Sequence, residues 1–105
     1  MTPAEAQELL IRVVQTIQRL SGREEVDVTA DTRPVTQMPG FDSLNGVEAT
    51  MDISEELEIE FEFNDIFVDE RKSLSIKEAA DRLLAALQVN TKKRKKVGGR
   101  DVDGR

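Results

Sequence analysis

Residues 40–61 read GFDSLNGVEATMDISEELEIEF. Pro39-Gly40 before them makes a turn, and Asp42 has the short acceptor side chain that caps a helix beginning at Ser43. Leu44, Val47, Met51, Ile53 and Leu57 then form an apolar stripe at helical spacing, interrupted at Thr50 and Ser54. Glu48, Asp52, Glu55 and Glu56 fall on the opposite side. The pattern predicts a helix over about 43–58 with one acidic face. The following EIEFEF, residues 58–63, alternates like a strand. A single short strand without a partner cannot make a sheet, so it is expected to be an extended connector with Ile59, Phe61 and Phe63 facing the core.

Outward from this helix, three more segments carry helical signals. Thr2 caps, Pro3 suits the first helical position and Glu5 completes a capping box. Leu9, Leu10, Val13, Val14, Ile17 and Leu20 repeat at helical spacing, with Arg12, Gln15, Gln18 and Arg19 as the wet face. Gly22 supplies a left-handed stop, so the helix is placed at about 3–20. Residues 21–41 hold Pro34, Pro39 and Gly40, and no helical period survives the prolines. This stretch reads as a long connection pinned by Val26, Val28 and Val35. Asn64 is positioned to cap a short helix at about 65–71 with Ile66, Phe67 and Val68 inside. Ser75 and Glu78 form another capping box, followed by Ile76, Ala79, Ala80, Leu83, Leu84 and Leu87 in a helix to about 88. The expected fold is all-α, a bundle of three main helices and one short third helix, with a long first loop. The domain spans 1–90, and residues 91–105 read as a basic, disordered tail.

Composition narrows the function. The 105 residues contain no Cys and no His, which removes thiol chemistry, the usual zinc ligands and the usual neutral-pH base. Residues 1–91 carry 8 basic and 19 acidic side chains, a charge of −11; residues 92–105 carry 7 and 2, or +5, giving the net −6. The acidic domain repels nucleic acid and anionic membranes and favours basic protein surfaces. Thr2-Pro3-Ala4-Glu5 is no signal peptide, and no apolar run approaches the roughly 20 residues that span a bilayer. A cytoplasmic monomer is expected. Catalysis would fall to carboxylates or Lys, and the carboxylates lie on solvent-facing positions. DISEELEIEFE lacks the Gly and alternating ligands of a calcium loop, and no phosphate-binding glycine loop is present. No metal site is expected, and the chain does not read as an enzyme.

Ser43 remains. By position it is a helix cap, or the neighbour of one. The same position, at a helix start with free N–H groups, also favours an anion, so a phosphodiester on this hydroxyl would sit in a favourable field. Asp42 stands ready to orient a metal or partner during phosphoryl transfer, and Leu44 is set for exposure. Nothing encoded nearby activates the hydroxyl, so any modification of Ser43 needs another enzyme.

The stretch GFDSLNGVEATMDISEELEIEF resembles the phosphopantetheine attachment segment of acyl carrier proteins. Asp42, Ser43 and Leu44 match that family's Asp-Ser-Leu motif, supported by Gly40-Phe41 before it and Val47, Glu48 and Met51 after it. The resemblance covers roughly residues 3–88. It implies an acyl-carrier four-helix bundle bearing 4′-phosphopantetheine on Ser43, installed by a phosphopantetheinyl transferase and carrying acyl thioesters in fatty-acid, lipid or related biosynthesis. It also implies that Leu44, Glu48, Met51, Asp52, Glu55 and Glu56 dock on basic patches of acyl-transferring enzymes. Ile53, Leu57, Phe61, Phe67 and Leu83 are candidates for lining an acyl site or for ordinary core. Asn45-Gly46 replace the acid and hydroxyl residue common after the motif, the segment from Phe61 to Ile76 is longer, and the tail is basic; these differences point to a specialised member. Carriage of aminoacyl or polyketide units, or an unmodified acidic helical docking module, are the alternatives.

Overall fold

The computed structural model describes residues 1–98. In chain order these form helix α1 (Pro3–Leu20), a single turn α2 (Pro34–Gln37), α3 (Ser43–Leu57), strands β1 (Val68–Asp69) and β2 (Lys72–Ser73), and α4 (Ile76–Gly98). The fold is mostly helical, with one small two-stranded sheet. Helix α1 packs against both α4 and α3. Its buried side chains, Ala6, Leu9, Leu10, Val13, Val14 and Ile17, form the middle of one core. Phe41, Ile53, Ile66, Phe67, Ile76 and Leu83 complete that core, and the rings of Phe41 and Phe67 meet edge to face at 6.2 Å. With so few aromatics, the interior is filled mainly by branched aliphatics.

The helix starts are as the sequence predicts. Thr2 and Glu5 exchange side-chain and backbone hydrogen bonds at 2.8 and 3.1 Å. Ser75 and Glu78 do the same at 2.9 and 3.1 Å. Gly22 (φ 71°) follows α1 in the left-handed region that glycine occupies without penalty. Helix α3 ends one residue early at Leu57, and Glu58 takes the left-handed cap itself (φ 55°). Ile59 is buried; Phe61 and Phe63 are half-buried and stack on each other at 4.8 Å.

Four expectations change. The short helix expected over 65–71 is absent; this segment is a turn followed by an antiparallel hairpin that pairs Val68 with Ser73 and Asp69 with Lys72. Glu70 and Arg71 both have positive φ (50° and 73°), the geometry of a two-residue hairpin turn, which a right-handed helix excludes. Ile66 and Phe67 are buried as expected, while Val68 is half-buried. The prolines of the long connection do not exclude helix everywhere, because Pro34 starts α2 at the position where its missing N–H costs nothing. Gln18 belongs to the interior rather than the wet face, at 1% exposure. Its Nε2 donates to the carbonyls of Glu24 (3.2 Å) and Pro39 (2.6 Å) and so ties down both ends of the connection. Finally, α4 continues past the expected end near 88 to Gly98. Lys and Arg are good helix formers, and no Pro or Gly interrupts residues 89–97. Residues 99–105 of the basic tail lie outside the described residues.

The connector after α3 is fastened by Thr50, whose side chain is buried in the inner face of that helix. Its hydroxyl donates to Gly46 O (2.7 Å) and accepts from Ile66 N (2.8 Å). Thr50→Val keeps the shape and strands the Ile66 N–H, an unsatisfied buried donor costing about 1–3 kcal/mol. The expected result is a Tm lowered by on the order of 5–15 °C, with Thr50→Ser retaining most of the stability in the same thermal melt.

Candidate functional site

Ser43 is the first residue of α3 and is exposed. The cap is supplied by its neighbour. Asp42 Oδ1 accepts from Asn45 N (3.1 Å), and Asn45 Oδ1 accepts from Asp42 N (3.3 Å). This reciprocal box uses Asp and Asn where Ser and Glu are commoner. It satisfies the helix start without Ser43, whose hydroxyl has no hydrogen-bond partner among the described residues. No group of acids that could hold a metal ion is found among the described residues.

The predicted stripe on α3 is rotated. Leu44 and Met51 are 75% and 61% exposed, whereas Asn45, Gly46, Ala49, Thr50 and Ile53 face inward. The inner face is small and partly polar because the connector runs directly against it. A Cβ at Gly46 would collide with both carboxylate oxygens of Asp65. The glycine therefore serves an internal close approach. Asp65 Oδ1 accepts from Phe67 N at 2.9 Å, while Oδ2 is buried without a partner among the described residues. Loss of water raises the Asp65 carboxyl above the ordinary carboxylate value; the Phe67 N–H and the Arg82 charge oppose this less strongly. Arg82 holds the same connector from α4, donating to the carbonyls of Asp65 (2.8 Å) and Val68 (2.9 Å) with its guanidinium 3.9 Å from the Phe63 ring centre.

The rotation places the candidate docking residues together on the outside. Glu48, Asp52, Glu55 and Glu56 are all exposed, alongside Leu44 and Met51. Desolvation raises the Asp52 carboxyl, and Glu48 and Glu55 push it further in the same direction. Glu56 is engaged within the fold by Arg12 of α1 at 2.6 Å. Of the candidates for an acyl site, Phe61 lines a groove of about 310 Å³ beside α3, with Val47, Thr50, Met51 and Phe63. Ile53, Phe67 and Leu83 are fully buried core, and Leu57 packs against it half-buried.

Asn45, Arg23, Thr50 and Asp65 were not among the sequence candidates. Asn45 had a signal, since it lies three residues after a capping Asp. Arg23, which donates to Asn45 Oδ1 at 2.9 Å across 22 residues, had none. No family model, curated protein or solved structure matches the chain. No helix among the described residues is long and apolar enough to cross a membrane.

Two measurements check the Gly46–Asp65 contact. Gly46→Ala should destabilise by about 1–3 kcal/mol through overpacking, although Ala favours a helix by about 1 kcal/mol. In an Asp65→Ala background the sign should reverse, leaving the propensity gain, as a double-mutant cycle by denaturant unfolding would show. Asp65→Asn tests the buried charge. A folded-state pKa raised above the unfolded one means that the native state binds the proton first as pH falls. The Asp65 contribution is thus least favourable above its folded pKa and improves as pH drops towards the unfolded value. The stability of Asp65→Asn relative to wild type should therefore rise with pH through that window. A flat difference would remove the buried-charge account.

Proposed function

We propose that the chain is an acyl carrier: a four-helix-type domain holding acyl groups as thioesters on a 4′-phosphopantetheine arm joined to Ser43, within fatty-acid, lipid or related biosynthesis. The observation that carries this reading is the Ser43 hydroxyl, exposed and without a hydrogen-bond partner among the described residues at the start of α3, where Asp42 and Asn45 cap the helix in its place. A hydroxyl committed to capping would have to break that bond to be modified. The residue types around it match the motif in which the resemblance places the arm. The arm supplies a thiol, which this cysteine-free chain does not encode.

The protein's own residues present and orient. A phosphopantetheinyl transferase would join Ser43 Oγ to the phosphorus of coenzyme A's pyrophosphate nearer the pantetheine, displacing adenosine 3′,5′-bisphosphate, with the serine proton leaving through the transferase. Leu44 and Met51 offer apolar contact beside Ser43 and along the same helix. Glu48, Asp52, Glu55 and Glu56 offer charge to basic patches of partner enzymes. Such charges steer encounter and favour quick release, as a carrier visiting several enzymes requires. No catalysis is assigned to the chain, and the reading is of a cytoplasmic monomer with no nucleic-acid contact by the domain.

One observation favours a second reading. The acidic face and its exposed Leu44 and Met51 exist without any modification, so an unmodified docking module for a basic partner would present the same surface. Intact-mass measurement separates the two. Apo protein incubated with coenzyme A and a phosphopantetheinyl transferase should gain the mass of one phosphopantetheine, and Ser43→Ala should gain none. No gain, or a gain that survives Ser43→Ala, would reject the carrier and leave the docking module.

A further inference from the structure

Arg23 reaches the start of α3 from the long first connection. Its Nη1 donates to Asn45 Oδ1 at 2.9 Å, the oxygen that also accepts from Asp42 N. Its stem lies against the bare backbone of Gly40; a Cβ there would stand 2.7 Å from Arg23 Cδ and 2.9 Å from Nε. Gly40 also has positive φ (73°), which favours glycine, and a side chain there would displace Arg23. The side chain is half-buried, with Cδ and Nε against Gly40 and Nη1 on Asn45.

Three other arginines of the fold are committed, whereas Arg19 and Arg71 make no ion pair among the described residues but are not tied to the start of α3. Arg12 pairs with Glu56, Arg33 pairs with Glu78, and Arg82 is spent on two carbonyls and a ring. Arg23 makes no ion pair among the described residues; its side chain's partner is the neutral amide of Asn45. A guanidinium has five N–H donors in a planar fork, and this one is positioned but largely unspent. It is anchored within the first turn of the helix that begins with Ser43, in a domain where acids outnumber bases 19 to 8 over residues 1–91. An acid at position 45 would have paired with it. Asn45 holds the guanidinium without neutralising it.

The geometry points to Arg23 as the phosphate-contacting residue of this chain: its free donors take the non-bridging oxygens of a phosphodiester joined to Ser43 Oγ. This rests on the reading of Ser43 given above and deepens it. The added negative charge would lie beside Asp42, and the guanidinium offsets that repulsion with charge-assisted, fork-shaped hydrogen bonds. The contact also restricts the first bonds of the arm, so that it leaves α3 in a set direction. Arg23 is a positioning residue and moves no proton.

The test uses the full chain, converted by transferase and coenzyme A, with mass confirming the product. In 15N-labelled wild type, the Arg23 Nε–H resonance should move on conversion from apo to holo, while those of Arg12 and Arg33 stay in place. The 31P resonance of the holo protein should shift in Arg23→Gln, with part of the wild-type position regained in Arg23→Lys. In Asn45→Asp the Arg23 movement should shrink, because the new carboxylate competes for the guanidinium. Conversion at Ser43 with an unmoved Arg23 signal overturns the Arg23 assignment alone and leaves the carrier reading intact. No conversion of wild type overturns both. The wild-type comparison decides even if Arg23→Gln does not fold.

Discussion

Helix α3 lies so close to the connector returning over it that position 46 has no room for a side chain. Gly46 yields its place to the Asp65 carboxylate, and Thr50, one turn later, bonds the connector's backbone at Ile66. Both contacts lie on the same side of α3, so together they fix its rotation about its axis. That rotation turns Ala49 and Ile53 inward and leaves Leu44 and Met51 in solvent. A larger, apolar inner face would have pushed the connector away and turned Leu44 inward. The exposed surface beside Ser43 is therefore a consequence of packing on the opposite side of the helix.

The long first connection has an equally definite role. Gln18 grips it at Glu24 and Pro39, and its Ala30 and Thr32 carbonyls accept from Lys77 and Ile76 at the start of α4. One connection, regular only in the single turn of α2, thus ties the end of α1 to the beginnings of α3 and α4. Held in this way, it delivers Gly40 and Arg23 to the first turn of α3. Ser43 then sits between a fixed loop and a fixed helix, its backbone defined and its side chain outside.

Much of this was legible in the sequence because the deciding interactions were local. The capping boxes at Thr2 and Ser75, the glycine stop at residue 22 and the helix start at Ser43 each depend on residues within a few positions of one another. The departures arise where unusual backbone or a distant partner decides. The hairpin at 68–73 hinges on two non-glycine residues in left-handed backbone, which sequence preference does not announce. Leu44 and Met51 share the apolar stripe by spacing, yet both lie outside as the docking expectation has them, because the opposite face accommodates the connector at Asp65. Gln18 could have been placed inside, since it continues Leu10 and Val14 at four-residue spacing. Arg23 could not, because Asn45 and Gly40 reach it only through the tertiary fold.

The acidic face has its own internal logic. Arg12 draws Glu56 towards α1, while Glu48, Asp52 and Glu55 have no ion pair among the described residues. Asp52 registers this: after desolvation, the two neighbouring glutamates are what hold its carboxyl above the ordinary range. Their mutual repulsion is carried by the free protein. A cationic surface approaching α3 would relieve it, although each exposed pair is worth only about 0–1 kcal/mol and is screened by salt. Several weak, screened contacts around two exposed apolar side chains give an encounter that forms readily and ends readily. A single buried ion pair would hold longer, but it would require desolvating charges that here stay in water. On the proposed docking reading such a face would suit repeated, brief contact, and Glu56, tied back to Arg12, belongs as much to the fold as to that surface.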